Sequence, residues 1–323
     1  MTSVPQSLRV GTRQSPLAMA QTGLVVSALQ QAFPGLVIET ISFTTQGDQF
    51  LEAPLAQIGD KGLFVKELEE ALLSGTIDIA VHSLKDMLST LPEGLVLTSV
   101  LTRNNPRDVL ISPRYSSLKA LPQGATVATG SLRRMAQLKQ HRPDLQIVGI
   151  RGNINTRLKK LEEGHADALI LAAAGIERMG WGDRVRDYLD PVSVMIPAVG
   201  QGILAVEYRN DQAGRQTVLP LLAAVQDETT QVAMTAERAF LSVIDAEAHL
   251  GCQVPMGIYA EPVNETQFNL HGIVLSPDGH EALQATLSFP ANPQAATRTG
   301  EALAQQLLDR GARELLVSAS QTV

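Results

Sequence analysis

The sequence predicts an α/β protein of two similar lobes, followed by a smaller C-terminal α+β domain. In residues 1–102, and again from about residue 105, short apolar strands alternate with helical segments, which indicates parallel sheets covered by helices. The first unit is partly repeated, because Val10–Gln21 resembles Val127–Gln137 with one residue fewer. From Cys252 to Phe289 apolar and polar residues alternate instead, which is typical of antiparallel strands.

The elements of the first lobe are predicted from start and stop signals. Ser15 followed by Pro16 is typical of a helix start, and Pro34 marks its end. Gly75 closes a second helix. In order, we expect a strand at Leu8–Gly11, a helix at Pro16–Phe33, a strand at Val37–Phe43, a helix at Lys66–Leu73 and a strand at Ile77–Val81.

The same signals predict the helices and strands in the rest of the chain. In the second lobe we expect a strand at Thr126–Thr129, a helix at Ser131–Gln140, a strand at Ile147–Ile150, a helix at Ile154–Glu163 and a strand at Ala168–Leu171. In the last third we expect a helix at Thr229–Ile244, antiparallel strands with a turn at Pro277-Asp278-Gly279, a helix at Thr297–Leu308 and a strand at Glu314–Ser318.

Length and composition narrow the class of protein. A chain of 323 residues with 44% apolar residues is long enough for two or three domains. Its single cysteine, Cys252, excludes an intrachain disulfide and a cysteine-rich metal site, and we expect no metal. No apolar run approaches the roughly 18–20 residues of a membrane helix, and the first residues show no signal peptide. We therefore expect a cytoplasmic protein without a membrane partner.

Basic residues are concentrated in one part of an acidic chain. The net charge is −7, yet residues 101–160 hold eight Arg, four Lys and only two acids, Asp108 and Asp144. This block favours a bound anion, with a solvated basic surface as the alternative. The planar guanidinium of Arg matches the two oxygens of a carboxylate or a phosphate. Aromatic residues make up only 4%, which argues against a nucleic acid partner bound by base stacking.

Many of the cations follow predicted strands, at the edge where a parallel sheet binds its ligands. Helix N-termini face the same edge, so cations gathered there repel one another unless an anion lies between them. The residues concerned are Arg13 and Ser15, Lys85, Ser131 with Arg133 and Arg134, and Arg151 with Arg157. The sequence therefore predicts a polyanionic ligand, with a basic surface patch as the alternative.

Asp86 is the acidic residue among these cations. Its carboxylate is either an ion-pair partner or a catalytic group that stabilises a cationic intermediate or transfers a proton. His82 either tunes this carboxylate or, as we favour, forms a structural hydrogen bond. Neither G-x-x-x-x-G-K-[ST] nor G-x-G-x-x-G occurs, so the usual nucleotide-binding loops are lacking.

Two segments leave alternatives open. Cys252 lies among Gly251, Pro255 and Gly257, which mark a turn. A free cysteine is commonly a buried apolar residue, whereas a thiol in a turn is accessible as a nucleophile or a covalent tether. Residues 44–61 hold few periodic apolar positions and are either a mobile lid or an ordinary surface loop.

Seven motifs, in order along the chain, resemble those of the porphobilinogen deaminase family. They are Gly11-Thr-Arg-Gln-Ser-Pro-Leu-Ala18, Lys61-Gly-Leu-Phe-Val-Lys-Glu-Leu68, Val81-His-Ser-Leu-Lys-Asp86, Gly130-Ser-Leu-Arg-Arg134, Arg151-Gly-Asn-Ile-Asn-Thr-Arg157, Pro197-Ala-Val-Gly-Gln-Gly202 and Gly251-Cys-Gln-Val-Pro255. The resemblance extends from residue 8 to about residue 320.

The resemblance implies a fold and a reaction. It implies two lobes like those of type II periplasmic binding proteins, with domain 1 at 1–102 and 200–224, domain 2 at 103–199 and domain 3 at 225–323. It implies a transferase that condenses four porphobilinogen molecules head to tail into hydroxymethylbilane, releasing ammonia, in tetrapyrrole biosynthesis. A dipyrromethane cofactor, held by a thioether to Cys252, primes the growing oligopyrrole.

The resemblance also implies roles for individual residues. Asp86 is the catalytic residue, and it stabilises the azafulvenium cation left when ammonia departs. The cofactor-binding residues are Cys252, Lys85, Ser131, Arg133, Arg134 and Arg157. The substrate-binding residues are Arg13, Ser15, Lys61, Arg151 and Arg178. Each pyrrole carries an acetate and a propionate, so cations in this number fit the ligand.

Two rival functions remain at this stage. The two-lobe architecture also suits a solute-binding protein that captures a dicarboxylate, although the missing export signal and Asp86 speak against it. The basic block also suits a nucleic acid binder, although sparse aromatic residues and the spread of the Arg residues over several strand ends weigh against it. We expect an enzyme that acts as a monomer and has no nucleic acid partner.

Overall fold

The computed structural model describes residues 5–45, 47, 65–248 and 254–321. The strands are β1 (Ser7–Arg13), β2 (Val37–Phe43), β3 (Ile79–Ser83), β4 (Leu95–Val100), β5 (Asp108–Ile111), β6 (Thr126–Ala128), β7 (Gln146–Val148), β8 (Ala168–Ala172), β9 (Val185–Tyr188), β10 (Leu204–Arg209), β11 (Met256–Asn264), β12 (Gln267–Leu275) and β13 (Ala282–Pro290). The helices are α1 (Pro16–Ala32), α2 (Lys66–Leu73), α3 (Leu132–His141), α4 (Ile154–Glu162), α5 (Ala173–Arg178), α6 (Leu219–Ala223), α7 (Glu228–Ala248), α8 (Pro293–Leu308) and α9 (Ala312–Gln321).

Two five-stranded sheets share one layout. The first has the order β2-β1-β3-β10-β4, and the second has the order β7-β6-β8-β5-β9. In each, the first three strands are parallel and the fourth is antiparallel to both of its neighbours. β1 and β6, which carry the repeated sequence, occupy the same place in their sheets. The predicted pair of α/β lobes is therefore confirmed, and so is the internal repeat.

Polar caps begin the helices that follow these strands. The Ser15 hydroxyl accepts a hydrogen bond from the Ala18 amide, and Pro16 is the first residue of α1. The Ser131 hydroxyl accepts from the Arg134 amide at the start of α3. Asn153 caps α4 in the same manner. Each cap satisfies an amide that the helix leaves without a partner, and so fixes where the chain turns from strand to helix.

The third sheet is an antiparallel meander of β11, β12 and β13. One face packs on α7, α8 and α9 around Phe240, Phe268 and Leu303. The other face packs against the second lobe through Ile273. The turn after β12 rests on α3, because a Cβ at Gly279 would lie 2.3 Å from the Ala136 carbonyl oxygen. Only glycine fits there, since its φ is +75° as well.

One predicted element is of the wrong type, and several others differ from the structure at their ends. The strand expected at Glu314–Ser318 is wrong, because these residues belong to helix α9. Ala312, Leu315 and Leu316 are buried at helical spacing and cover the third sheet, a pattern that a short apolar run alone does not distinguish from a strand. The strand expected at Ile77–Val81 begins and ends two residues later. No helix among the described residues combines the length and apolar content needed to cross a membrane.

The chain passes between the lobes twice, and both passages meet at Glu237 of α7. The Glu237 carboxylate, 0% exposed, accepts hydrogen bonds from Arg103 Nη1 at 2.6 Å and from the Gly200 amide at 2.6 Å. It also accepts from the Ala260 amide on β11 at 2.9 Å. The two passages touch each other, since Arg103 Nε donates to the Gln201 carbonyl at 2.9 Å. One side chain of the C-terminal domain therefore joins both passages to the third sheet.

Glu237→Gln is expected to lower the free energy of unfolding by about 3–5 kcal/mol, because it leaves the Arg103 guanidinium in a buried place without a counter-charge. Denaturant unfolding measures the effect. The control is Glu162→Gln, which breaks a surface pair with Arg184, and we expect a loss below about 1 kcal/mol there. An equal effect of the two substitutions would contradict the role given to Glu237.

Candidate active site

The Lys85–Asp86 pair lies on a short turn between the lobes. β3 ends at Ser83, and a single 3-10 turn, Leu84–Asp86, follows it. The Leu84 side chain is 2% exposed, and its amide donates to the Ile203 carbonyl at 3.1 Å. The turn is thereby fastened to the second passage between the lobes, while Asp86 itself is exposed.

Asp86 lines a small pocket at the carboxyl ends of β1 and β3. Arg13, Gln21, His82 and Ser83 lie in the same wall. Gln21 Nε2 donates to Ser83 Oγ at 2.7 Å, which holds α1 to the end of β3. Asp86 has no hydrogen-bond or ion-pair partner among the described residues, so its carboxylate is available to a ligand.

Lys85 contributes a cation that forms no salt bridge with a carboxylate of the described residues. It is half-buried and has no hydrogen bond or salt bridge among the described residues. Burial lowers the pKa of Lys85 to about 8, Asp86 opposes this, and Arg134 adds to it. The site therefore keeps a positive charge close to Asp86 at a cost that an anionic ligand would remove.

Beneath this turn lies a buried ion cluster. Asp108, 0% exposed, is 2.8 Å from Arg133 Nη1 and 2.8 Å from Arg134 Nη2. Gln201 Nε2 donates to Asp108 at 3.1 Å, so the cluster reaches the second passage between the lobes. Burial by itself raises the pKa of Asp108, but the two guanidinium groups outweigh it and lower the pKa to about 2. Two cations face one carboxylate here, which leaves a net positive charge.

Two further arginines of the expected site, Arg157 and Arg178, are half-buried. Arg157 Nε donates to the Gly152 carbonyl at 2.7 Å, and burial, with help from Arg134 and Arg151, lowers its pKa to about 10. Arg178 Nη2 donates to the Gly202 carbonyl at 2.8 Å, and burial lowers its pKa to about 10. Arg178 Nε is buried with no hydrogen-bond partner among the described residues.

The structure links part of the expected site. Arg13 and Asp86 line one pocket, and electrostatic interactions join six residues, which are Lys85, Asp86, Arg133, Arg134, Arg151 and Arg157. The hydroxyls of Ser15 and Ser131 cap helices, as described above. His82 forms the structural hydrogen bond that we favoured, with Nε2 at 3.1 Å from Glu207 Oε2. Lys61 and Cys252 lie outside the described residues, and so does most of the 44–61 segment.

Sequence reasoning missed two members of the site. Asp108 was only counted as one of two acids in a basic block, although an acid within an apolar strand, among twelve cations, is itself a signal of an internal ion pair. Gln21 gave no signal, because a glutamine inside a helix usually faces solvent. Groups of three or more His, Cys, Asp or Glu that would suit a metal are absent from the part of the chain that the structure describes.

Comparison with known proteins identifies the family. The family model described as "Porphobilinogen deaminase, dipyromethane cofactor binding domain" matches residues 8–217, and the one described as "Porphobilinogen deaminase, C-terminal domain" matches residues 231–309. Among solved structures, a nutrient binding protein from Burkholderia cenocepacia bound to methionine is 17% identical with a TM-score of 0.42, covering 68% of this chain and 92% of its own. That likeness is too weak to support an assignment.

Two curated relatives are much more similar. A protein named porphobilinogen deaminase from Syntrophobacter fumaroxidans is 46% identical over 309 residues, which are 96% of this chain and 96% of that protein. A second, of the same name, from Syntrophotalea carbinolica is 45% identical over 312 residues, which are 97% of this chain and 96% of that protein. With this identity over nearly the whole length of both chains, the chain belongs to the porphobilinogen deaminase family.

Proposed function

We propose that Asp86 is the catalytic carboxylate and that the cations around it hold the acetate and propionate groups of the oligopyrrole. The family reaction condenses four porphobilinogen molecules into hydroxymethylbilane, with loss of ammonia, from a dipyrromethane primer. The observation that carries the proposal is an exposed Asp86 carboxylate that has no hydrogen-bond or ion-pair partner among the described residues, in a pocket lined by Arg13 and next to Lys85.

The residues present fit a dipyrromethane with its four carboxylates. Among the described residues Lys85 forms no salt bridge, and the buried Arg178 Nε has no hydrogen-bond partner, so the anionic oxygens of a ligand would satisfy both. We assign cofactor contacts to Lys85, Ser131, Arg133, Arg134 and Arg157, with the thioether at Cys252. Arg133 and Arg134 bind Asp108, but a guanidinium has five N–H donors and can bind a second carboxylate.

Substrate contacts fall to the other residues of the expected site. We assign them to Arg13, Ser15, Arg151, Arg178 and Lys61. Arg13 lies in the pocket wall with Asp86, so it can hold a carboxylate of the ring that reacts. Fixing each ring by its two carboxylates orients its reactive carbon, which is the main contribution that binding makes to rate.

Asp86 supports the chemistry through its charge. Loss of ammonia from porphobilinogen leaves an azafulvenium cation, and a carboxylate near its pyrrole N–H stabilises that cation. The same carboxylate can help to transfer a proton to the departing amine and to accept one from the new ring junction. A dipyrromethane held at Cys252 would supply the free α-carbon that attacks the cation.

The remaining assignments are also proposals. We propose domain 1 at 1–102 and 200–224, domain 2 at 103–199 and domain 3 at 225–323, supported by the first sheet, which takes β10 from the returning chain. We propose a cytoplasmic monomer without a nucleic acid partner. The burial of Arg133 and Arg134 against Asp108 supports the absence of a nucleic acid partner, because these two cations of the basic block do not form a surface for phosphates.

Intact mass under denaturing conditions tests the proposed function. We expect a mass above that of the 34.6 kDa chain by a two-ring group, and further single-ring increments after porphobilinogen is added. Cys252→Ser should lack the thioether-linked group, because the chain has no other cysteine. Glu93→Gln, on the exposed surface of the first lobe, is the control and should carry it. The bare chain mass in the unsubstituted protein would favour a solute-binding protein instead.

A further inference from the structure

One face of α7 lies against the chain around the Leu84–Asp86 turn. Arg238 follows Met234 by four residues and Asp245 follows Arg238 by seven, so the three lie on one face of the helix. The opposite face of α7, which includes Phe240, belongs to the core under the third sheet. The helix therefore lies between the C-terminal domain and the turn that carries Asp86.

Two buried apolar side chains enclose the Lys85–Asp86 pair in the sequence. Leu84 precedes the pair and Met87 follows it, and each is 2% exposed. Both belong to one apolar cluster with Met234 of α7. The Met87 amide donates to the Leu84 carbonyl at 3.0 Å, which closes the turn. The turn is thus packed toward α7 on both sides of the pair, while Asp86 itself stays exposed.

Polar side chains of α7 hold the next two residues of the chain. Arg238 Nη1 donates to the Leu88 carbonyl at 3.1 Å, and Arg238 Nη2 donates to the Ser89 carbonyl at 3.0 Å. The Ser89 hydroxyl donates to the Asp245 carboxylate. Leu88 and Ser89 belong to neither a helix nor a strand, so Arg238 supplies the donors that regular structure supplies elsewhere.

Arg238 is a partly buried cation that binds backbone rather than a carboxylate. It forms no salt bridge among the described residues, and its hydrogen bonds there go to the two carbonyls. Burial lowers the pKa of Arg238, although Glu207 opposes this effect. Hydrogen bonds from a charged donor are about twice as strong as those between neutral groups. The attachment of this irregular segment to α7 is therefore firm.

We propose that Arg238 and Asp245 are positioning residues, which hold residues 87–89 against α7 and thereby fix the place of the Asp86 carboxylate. The proposal rests on the catalytic role proposed for Asp86. A displacement of about 1 Å in a reacting group can cost about 10²-fold in rate. Because other residues hold the carboxylates of the substrate, the effect should appear in kcat and leave KM little changed.

The kinetic test compares R238M with R310M in the holoenzyme. Methionine keeps an unbranched side chain but donates no hydrogen bond. Arg310 is the matched control, because its Nη1 donates to the Gln284 carbonyl on β13 at 3.0 Å and its side chain is exposed. At saturating porphobilinogen, we expect R238M to lower the rate constant of the first single-ring addition about 10–10²-fold, with KM changed by less than about twofold.

This rate constant, measured by intact mass, does not depend on the fraction of the protein that is folded. A loss of folded enzyme alone would therefore leave it unchanged. R310M should react at the rate of the unsubstituted enzyme. Equal rate constants in R238M and R310M would overturn the proposal.

A second readout does not use activity. Hydrogen exchange of the peptide that covers residues 84–89 reports on the Leu84 amide, which is bound to the Ile203 carbonyl, and on the Met87 amide. Exchange should be faster in R238M than in R310M. It should also be faster in S89A, which removes only the bond to Asp245 and serves as the test if R238M does not fold. Unchanged exchange in these variants would overturn the proposal.

A combined variant shows whether Arg238 acts through Asp86. In the Asp86→Asn background, R238M should lower the rate constant further by less than about twofold, because the group that it positions has already lost its charge. The full additional loss would overturn the proposal. Near-normal turnover in Asp86→Asn with faster exchange in R238M would reject the catalytic role of Asp86, whereas exchange equal to that of R310M would reject the positioning by α7.

Discussion

Asp86→Asn should lose nearly all turnover, by about 10²–10⁴-fold in kcat, with the fold and the covalent cofactor retained. The amide keeps the shape of the side chain but removes the negative charge that stabilises the azafulvenium cation. Asp86 is exposed and has no partner among the described residues, so little stability depends on it. Single-turnover addition of porphobilinogen, followed by intact mass, measures the loss.

The control for this experiment is Glu93→Gln, an exposed acid on the same lobe. It should form product at the rate of the unsubstituted enzyme and with the same mass ladder. A near-normal rate in Asp86→Asn would remove Asp86 from the mechanism. A loss of the cofactor in that variant would instead show that Asp86 is needed to assemble the primer.

Asp108→Asn should lower the free energy of unfolding by about 3–5 kcal/mol and raise the KM for porphobilinogen. The substitution leaves Arg133 and Arg134, whose side chains are 4% and 7% exposed, without a counter-charge. Without Asp108, the two guanidinium groups repel each other and leave the positions in which we propose that they bind carboxylates of the oligopyrrole. Denaturant unfolding and steady-state kinetics measure the two effects.

Asp144→Asn is the matched control, because Asp144 binds Arg142 in a bidentate pair at the surface of the same lobe. We expect a loss below about 1 kcal/mol there. The carboxyl of Asp108 has a lowered pKa, so its contribution is present above pH 3.8 and is lost as pH falls through about 2. The difference between Asp108→Asn and the unsubstituted protein should thus be constant from pH 5 to pH 8; a difference that changes across this range would contradict the assignment.

Local signals predicted the parts of the fold that depend on local chemistry. The bounds of Val37–Phe43 and Lys66–Leu73 agree with the structure, and Ser15 and Ser131 cap helices because hydroxyls satisfy free amides. The strand expected at Glu314–Ser318 was wrong because burial at three- and four-residue spacing depends on what the segment packs against. A local sequence pattern does not show which distant segment it packs against.

Only the site residues that follow predicted strands could be predicted from the sequence. Cations at strand ends repeat along the sequence, so Arg13 and Lys85 were found. Asp108, Glu207 and Glu237 were missed because an acid in a strand or helix usually faces water, and their burial follows from contacts with distant parts of the chain. The roles of Lys61 and Cys252 stay predictions, since both lie outside the described residues.

The meeting of both passages at Glu237 limits how the two lobes can separate. A single carboxylate bound to Arg103, Gly200 and Ala260 ties both passages to the third sheet, so a movement that pulls the passages apart would have to break these hydrogen bonds. A solute-binding protein, which releases its ligand after each binding event, benefits from a large movement between its lobes. An enzyme that retains the same unfinished product through four successive additions benefits from a small movement between its lobes.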